Sequence, residues 1–203
     1  MSTSPDDLIG RTLDARYRIE SVAARGGMAT IYLAIDLRLQ RPVAVKVMHS
    51  TLAEDANFLI RFEREARAAA ALTHPNVVSV HDQGRDAATG AMYLIMELVA
   101  GHTVRDVLVE RISLTPIQAL AVLDPVLQAL AAAHQAGFVH RDIKPENVMI
   151  ADDGRVRVAD FGLARAIVDT ESTALTRGVL IGTVAYLAPE QVEKGTADAV
   201  SYT

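Results

Sequence analysis

Apolar and polar positions alternate along much of the first hundred residues, and the period then lengthens. Arg18-Ile-Glu-Ser-Val22 and Thr30-Ile-Tyr-Leu-Ala34 lie on either side of Gly26-Gly27, which predicts two strands joined as a hairpin. Arg41-Pro42 opens a further strand, Val43-Ala-Val-Lys-Val47. From Ala56 to Leu72 the apolar residues Phe58, Ile60, Phe62, Ala66, Ala69 and Ala70 have Arg and Glu between them, which predicts a helix stopped by His74-Pro75-Asn76. Val77-Val-Ser-Val80 and Met92-Tyr-Leu-Ile-Met96 predict two more strands, linked by a polar turn ending at Thr89-Gly90.

After Gly101 the pattern becomes helical. Thr115-Pro116 is a helix start, with Thr as N-cap and Pro in the first turn. Leu120, Leu123, Leu127, Leu130 and Ala131 follow at helical spacing until Gly137, and Pro125 predicts a kink. The helix is apolar enough to be expected in a core. Val148-Met-Ile150 and Val156-Arg-Val158 predict short strands about Asp152-Asp153-Gly154, and the Thr-rich stretch 163–187 suits a mobile segment. A β-rich part followed by a helical part predicts an α+β chain of two lobes, with a cleft between them.

Composition narrows the possible functions. Half of the 203 residues are apolar, ample for a core, and the net charge of -5 argues against a nucleic-acid partner, which needs a clustered basic face. The chain has no Cys, which excludes a disulfide framework, a thiolate nucleophile and a Cys-based zinc site. The stretch Met1-Ser-Thr-Ser-Pro-Asp-Asp7 lacks the basic start and apolar run of a secretory leader. No uncharged apolar stretch is long enough to span a bilayer, so no membrane segment and a cytoplasmic location are expected. Of 20 basic residues only Lys46, Lys144 and Lys194 are Lys. Arg serves elsewhere as the generic positive charge, and two of the three Lys sit in motifs where a compact, rotatable cation suits phosphate oxygens.

The chemistry concentrates in His140-Arg-Asp-Ile-Lys-Pro-Glu-Asn147 and Asp160-Phe-Gly162. Asp142 is the candidate catalytic base, an acceptor that orients a hydroxyl and takes its proton. Lys144 can offset charge on a transferred phosphoryl group. Asn147 and Asp160 offer hard oxygen ligands suited to Mg²⁺ on nucleotide phosphates. Lys46, on a strand, needs a counter-charge if buried; Glu65 is the choice and Glu63 the competitor. In Ala24-Arg-Gly-Gly-Met-Ala29, Gly26 and Gly27 would let backbone N–H groups approach phosphate closely, although the segment alone is better read as a plain hairpin turn.

With Arg61-Phe-Glu-Arg-Glu65, His74-Pro-Asn-Val77 and Gly182-Thr-Val-Ala-Tyr-Leu-Ala-Pro-Glu190, these stretches resemble a eukaryotic-type bacterial protein Ser/Thr kinase, in particular the actinobacterial PASTA-type (PknL-like) branch. The resemblance implies a protein-kinase-like bilobal fold: an N-terminal leader at 1–16, an N-lobe at 17–100 and a C-lobe at 101–203. It implies transfer of the ATP γ-phosphate to Ser or Thr of protein substrates, including the chain's own activation loop, with Mg²⁺ or Mn²⁺. It implies adenine held by Ala23, Ile31, Ala44 and Met149, hinge contacts at Glu97 and Val99, a gatekeeper at Met96, and a phosphate loop at Ala24, Gly26 and Gly27. Thr183 would reach Asp142 and Lys144. Arg141 would pair with a phosphorylated loop Thr, with Thr173 and Thr176 the candidates ahead of Thr170 and Ser172. Arg16, Leu39 and Asp82 fall where related kinases pair N-lobes back to back. Ala24 and Ala29 replace two loop glycines of the family pattern, with a modest loss of loop mobility expected. The resemblance also implies a C-lobe truncated after Ala188-Pro-Glu190. The alternative expectation is therefore a catalytically weak fragment that only binds nucleotide or another kinase, with incomplete packing around the helix from Ile117 to Ala133.

Overall fold

The computed structural model describes residues 8–49, 56–161, 186–194 and 201. They form two units, Met1–Ala66 with Val80–Leu98, and Arg67–Ser79 with Val99–Thr203.

The first unit is built on strands β1 (Thr12–Leu13), β2 (Tyr17–Arg25), β3 (Ala29–Asp36), β4 (Arg41–Met48), β5 (Val80–Arg85) and β6 (Met92–Glu97). Helix α1 (Ala56–Ala71) begins in this unit and ends in the second. The sheet is antiparallel with order β1-β2-β3-β4-β6-β5. Successive side chains alternate faces, so the β-branched and aromatic residues of one parity meet in a single core. That core contains Tyr17, Ile19, Tyr32, Val43, Val45, Val47, Tyr93 and Ile95, with Leu8 and Leu13 sealing it. Each fully buried Val or Ile contributes about 1.5–3 kcal/mol. Tyr93 packs edge-on against Tyr17 at 6.1 Å. A Cβ at Gly84 would overlap the Tyr93 hydroxyl, so β5 needs glycine there.

Residues 8–16, expected as a leader, are partly structural. Thr12 and Leu13 pair with Arg18 and Tyr17, and Leu8 and Leu13 are buried. Arg16 grips Asp36 through Nε (3.0 Å) and a terminal nitrogen (2.8 Å), and its other terminal nitrogen reaches Asp82 at 3.2 Å. The Tyr17 hydroxyl donates to the same Asp82 oxygen at 2.6 Å. The Arg16 guanidinium holds the buried Asp36 carboxyl down at about 2, helped by the amides of Leu39 and Arg38. Leu39, by contrast, is exposed.

In the second unit β7 (Gly101–Thr103), β8 (Val148–Ala151) and β9 (Val156–Val158) form an antiparallel sheet in that order. Gly101 has φ +148°, and a Cβ there would run into the Ile150 carbonyl, so the approach of β7 to β8 requires glycine. Helices α2 (Val104–Arg111) and α3 (Pro116–Gln135) both begin with capping boxes, Thr103 with Asp106 and Thr115 with Gln118. A short helix α4 (Pro189–Lys194) follows the long undescribed segment.

Two expectations change. The segment Val77–Val80 is not one strand: Val78 donates to the Val158 carbonyl, Val158 to that of Asn76, and Val77 bridges Val158, so β5 starts only at Val80. Helix α3 is one helix through Pro125, but it is buried on one face only. Val126, Ala129, Leu130 and Ala133 pack against Val148, Val156, Val158 and Phe161, while Ile117, Leu120, Leu123 and Leu127 are exposed. The two stripes lie on different faces, and the small sheet covers one. By length and composition α3 is apolar enough to cross a membrane, yet its inner face packs into this core.

Candidate active site

In the first unit the sheet register gathers most of the residues expected to hold nucleotide. Lys46 lies opposite Ile31 on β3 and Leu94 on β6, and Ile31 lies opposite Ala24. Ala44, two residues before Lys46, lies opposite Leu33 and Met96, while Val43 pairs with Glu97. Directly opposed and alternate residues share a face, so Ile31, Ala44, Lys46 and Met96 stand together on the face opposite Val43, Val45 and Val47. Ala23 falls in a register shift between Val22 and Ala24, an irregularity that re-aims side chains near sites and that alternation does not reveal. The turn closes when Gly26 N–H donates to the Ala29 carbonyl at 2.9 Å.

Glu65 is buried on α1, and the ion pair the structure gives it is with Arg64, at 3.0 Å.

In the second unit the loop from His140 to Asn147 is held by its own polar atoms. His140 is fully buried. Its Nδ1 accepts the Asp142 amide at 3.2 Å, which makes Nε2 the protonated nitrogen that donates to the Ala159 carbonyl at 2.8 Å. Burial pushes its pKa down, against the Ala159 hydrogen bond and the charges of Asp160 and Asp142, and the ring packs edge-on against Phe161 at 4.5 Å. Ala159 is also fixed through its N–H, which donates to the Asn147 carbonyl at 2.8 Å. Both polar groups of the residue preceding Asp160 are thus tied to this loop. Arg141 (φ +69°) and Asp160 (φ +65°) occupy the left-handed region, uncommon outside glycine and a form of stored backbone strain.

Asp142 receives Lys144 Nζ at 2.7 Å and Asn147 Nδ2 at 3.1 Å on one carboxylate oxygen, Oδ2. Its other oxygen, Oδ1, is buried and accepts no hydrogen bond. Asn147 is buried, and its amide nitrogen also donates to the Asp142 carbonyl at 2.8 Å. This turns the amide oxygen away from Asp142. Among the described residues no three His, Asp or Glu side chains form a metal-holding cluster. One carboxylate and one amide oxygen nevertheless fit a divalent ion that takes its other ligands from phosphate and water.

Several contacts had no signal in the sequence. Gln191 on α4 accepts the Ala188 amide at 3.1 Å and donates to the Arg141 carbonyl at 3.0 Å, tying the Ala188-Pro-Glu190 segment to the strained residue before Asp142. Arg105 on α2 donates to Glu146 at 2.9 Å and to the Tyr186 hydroxyl at 2.9 Å. Asn76 Nδ2 donates to the Val156 carbonyl, which gives the His74-Pro-Asn-Val77 stretch a structural task on β9. Val99 and Met149 belong to the second unit, with Met149 on β8 opposite Thr103 and Arg157. Gly162, Thr170, Ser172, Thr173, Thr176 and Thr183 lie outside the described residues.

A carboxylate held by a lysine and an asparagine, and a lysine-bearing strand that follows a glycine turn, are features that ATP-dependent phosphotransferases use. The protein kinase domain model matches residues 17–201, and the chain belongs to the protein kinase family. It is 51% identical over 193 residues to the serine/threonine-protein kinase PknL of Mycobacterium tuberculosis, covering 95% of this chain and 47% of that protein. It is 44% identical over 191 residues to the serine/threonine-protein kinase PknB of Mycolicibacterium smegmatis, covering 93% of this chain and 31% of that protein. The chain therefore spans about half, or less, of the length of these curated relatives. Among solved structures it superposes on the PknI kinase domain of Mycobacterium tuberculosis with a TM-score of 0.75 at 30% identity, covering 95% of this chain and 71% of that one. Protein kinase domains use ATP with a divalent metal.

Proposed function

We propose that this chain carries a protein serine/threonine kinase activity, transferring the γ-phosphate of ATP to Ser or Thr hydroxyls of proteins, including its own 163–187 segment. The carrying observation is the asymmetry of Asp142: Oδ2 is held by Lys144 and Asn147, whereas buried Oδ1 has no partner. A buried acceptor left without a hydrogen bond costs about 1–3 kcal/mol, and an incoming hydroxyl would supply the missing bond. Asp142 then orients that hydroxyl and takes its proton as its oxygen bonds to the γ-phosphorus and the bond from that phosphorus to the ADP oxygen breaks, releasing ADP. Lys144, already against Asp142, offsets the negative charge that moves toward the acceptor. On the first unit Ile31, Ala44 and Met96 supply an apolar face for adenine, Glu97 and Val99 the hinge contacts, and Lys46 the cation for phosphate. Asn147 and Asp160 would hold Mg²⁺, or Mn²⁺ in its place, and a bound ion would neutralise phosphate charge.

The relatives named as serine/threonine kinases and the Lys144-Pro-Glu146 stretch support the choice of Ser/Thr over Tyr acceptors. ATP as substrate supports a cytoplasmic location. The test is incorporation of radiolabelled phosphate from ATP, with Mg²⁺, into the chain and into a generic protein substrate. Asp142→Asn should lower incorporation by at least a hundredfold while leaving nucleotide binding intact. Equal incorporation by that variant would sink the assignment. Exposed Leu39, beside the Arg16–Asp36 pair, supports the finer proposal of a back-to-back N-lobe dimer. Sedimentation of Leu39→Glu against the unaltered chain checks it, and an unchanged association constant would refute it.

A further inference from the structure

The residue after β4, His49, is bonded at three points to the glycine turn and the start of β3. Its backbone N–H donates to the Met28 carbonyl at 2.9 Å. Its ring Nδ1 lies 3.1 Å from the Gly27 carbonyl, and its Nε2 lies 3.3 Å from the Thr30 hydroxyl. A carbonyl only accepts, so Nδ1 carries the hydrogen. In the neutral ring Nε2 accepts from the Thr30 hydroxyl; in the cation it donates to the same oxygen. Both ring nitrogens are thus engaged, and the arrangement acts as a pin.

The pin has a directional consequence. In an extended strand successive carbonyls point to opposite sides, but here those of Gly27 and Met28 both turn to His49. A trans peptide is planar, with its N–H opposite its C=O. The N–H groups of Met28 and Ala29 are thus both sent away from His49 and β4. On that side the Ala29 carbonyl receives the Gly26 amide. Successive N–H groups presented to one side make a concavity that binds anions.

We propose that His49 is a positioning residue for the phosphate-binding turn. By holding the Gly27 and Met28 carbonyls it pre-orients the Met28 and Ala29 amides toward the phosphates of a bound nucleotide, while touching no ligand itself. The proposal rests on the nucleotide-binding reading of the first unit. It also explains how the turn keeps a defined shape with only Gly26 and Gly27 as glycines.

The test compares the affinities of ATP, ADP and adenosine for the whole chain by calorimetry, in the unaltered protein, His49→Ala and His49→Asn. An Asn amide nitrogen falls close to the position of Nδ1 and can still donate to Gly27. His49→Ala should weaken ATP and ADP by about tenfold, the scale of one hydrogen bond lost at the turn, and leave adenosine unchanged. His49→Asn should recover most of the difference at an equal melting temperature. Equal weakening of adenosine and ATP, unchanged ATP binding by His49→Ala, or no recovery by His49→Asn would each overturn the assignment. An unaltered chain that binds none of the three ligands would overturn the nucleotide reading itself, and the role of His49 with it.

Discussion

Replacing His140 by Phe isolates the polar work of this buried ring. Phe fills slightly more space than His and can keep the edge-on contact with Phe161, so no cavity opens. What disappears is one acceptor and one donor, which strands the Asp142 N–H and the Ala159 carbonyl in the interior. Each stranded group costs about 1–3 kcal/mol, and allowing for partial relaxation the sum is about 2–4 kcal/mol. For a chain of this size each kcal/mol shifts Tm by about 2–4 °C, so thermal unfolding at pH 7.5 should come about 5–15 °C lower.

The same variant makes a second, signed prediction. Burial depresses the folded-state pKa of His140, so below the ordinary value of 6.5 the unfolded chain binds a proton that the folded chain refuses. The stability contributed by the neutral ring is fully present above pH 6.5 and is lost as pH falls toward the folded-state pKa, at up to about 1.4 kcal/mol per pH unit. His81, also depressed chiefly by burial, adds a similar slope, but it is present in both proteins. The gap in Tm between the two proteins should therefore narrow between pH 7 and pH 5.5. Calorimetric scans of both across that range decide the matter. A gap that stays constant or widens, or a Phe variant as stable as the parent, would refute the assigned tautomer and its two hydrogen bonds.

Other changes probe other contacts. Gln191→Glu keeps an acceptor for the Ala188 amide but cannot donate to the Arg141 carbonyl, so kcat should fall about five- to tenfold with KM for ATP unchanged; a rise in KM alone would point elsewhere. Asp36→Asn should cost about 2–3 kcal/mol in denaturant unfolding, less than a fully buried pair because Arg16 reaches solvent. The parent should lose that contribution from Asp36 in acid, fully present above the ordinary carboxyl value near 3.8 and lost as pH falls through about 2.

Local pattern carried much of the fold, and it failed where partners are distant in sequence. The β2–β3 hairpin, the Lys46 strand and the start of α3 follow from alternation, Gly26-Gly27 and Thr115-Pro116. Asp142, Lys144 and Asn147 sit within six residues of one another, so their spacing already implied that they could meet. Val77–Val80 has strand composition, but its partner β9 lies some eighty residues away, and composition does not say which backbone a segment will bind. The second apolar stripe of α3 suggested burial, yet periodicity reports only that a face is apolar. Gln191 and His49 escaped notice because a glutamine after Pro189-Glu190 and a histidine after a strand are ordinary until their hydrogen bonds to Arg141 and Gly27 are located.

These contacts make the loop that carries Asp142 a pre-assembled frame. Apart from Asp142 Oδ1, the polar groups around Asp142 are bonded within the loop and to Ala159, and the strain at Arg141 and Asp160 is tolerated because those bonds over-determine the backbone. Altering this frame means breaking several buried hydrogen bonds together, so small changes in conditions leave it in place. Control of turnover is therefore costliest at this loop, where any change of backbone must break these hydrogen bonds before it can move Asp142.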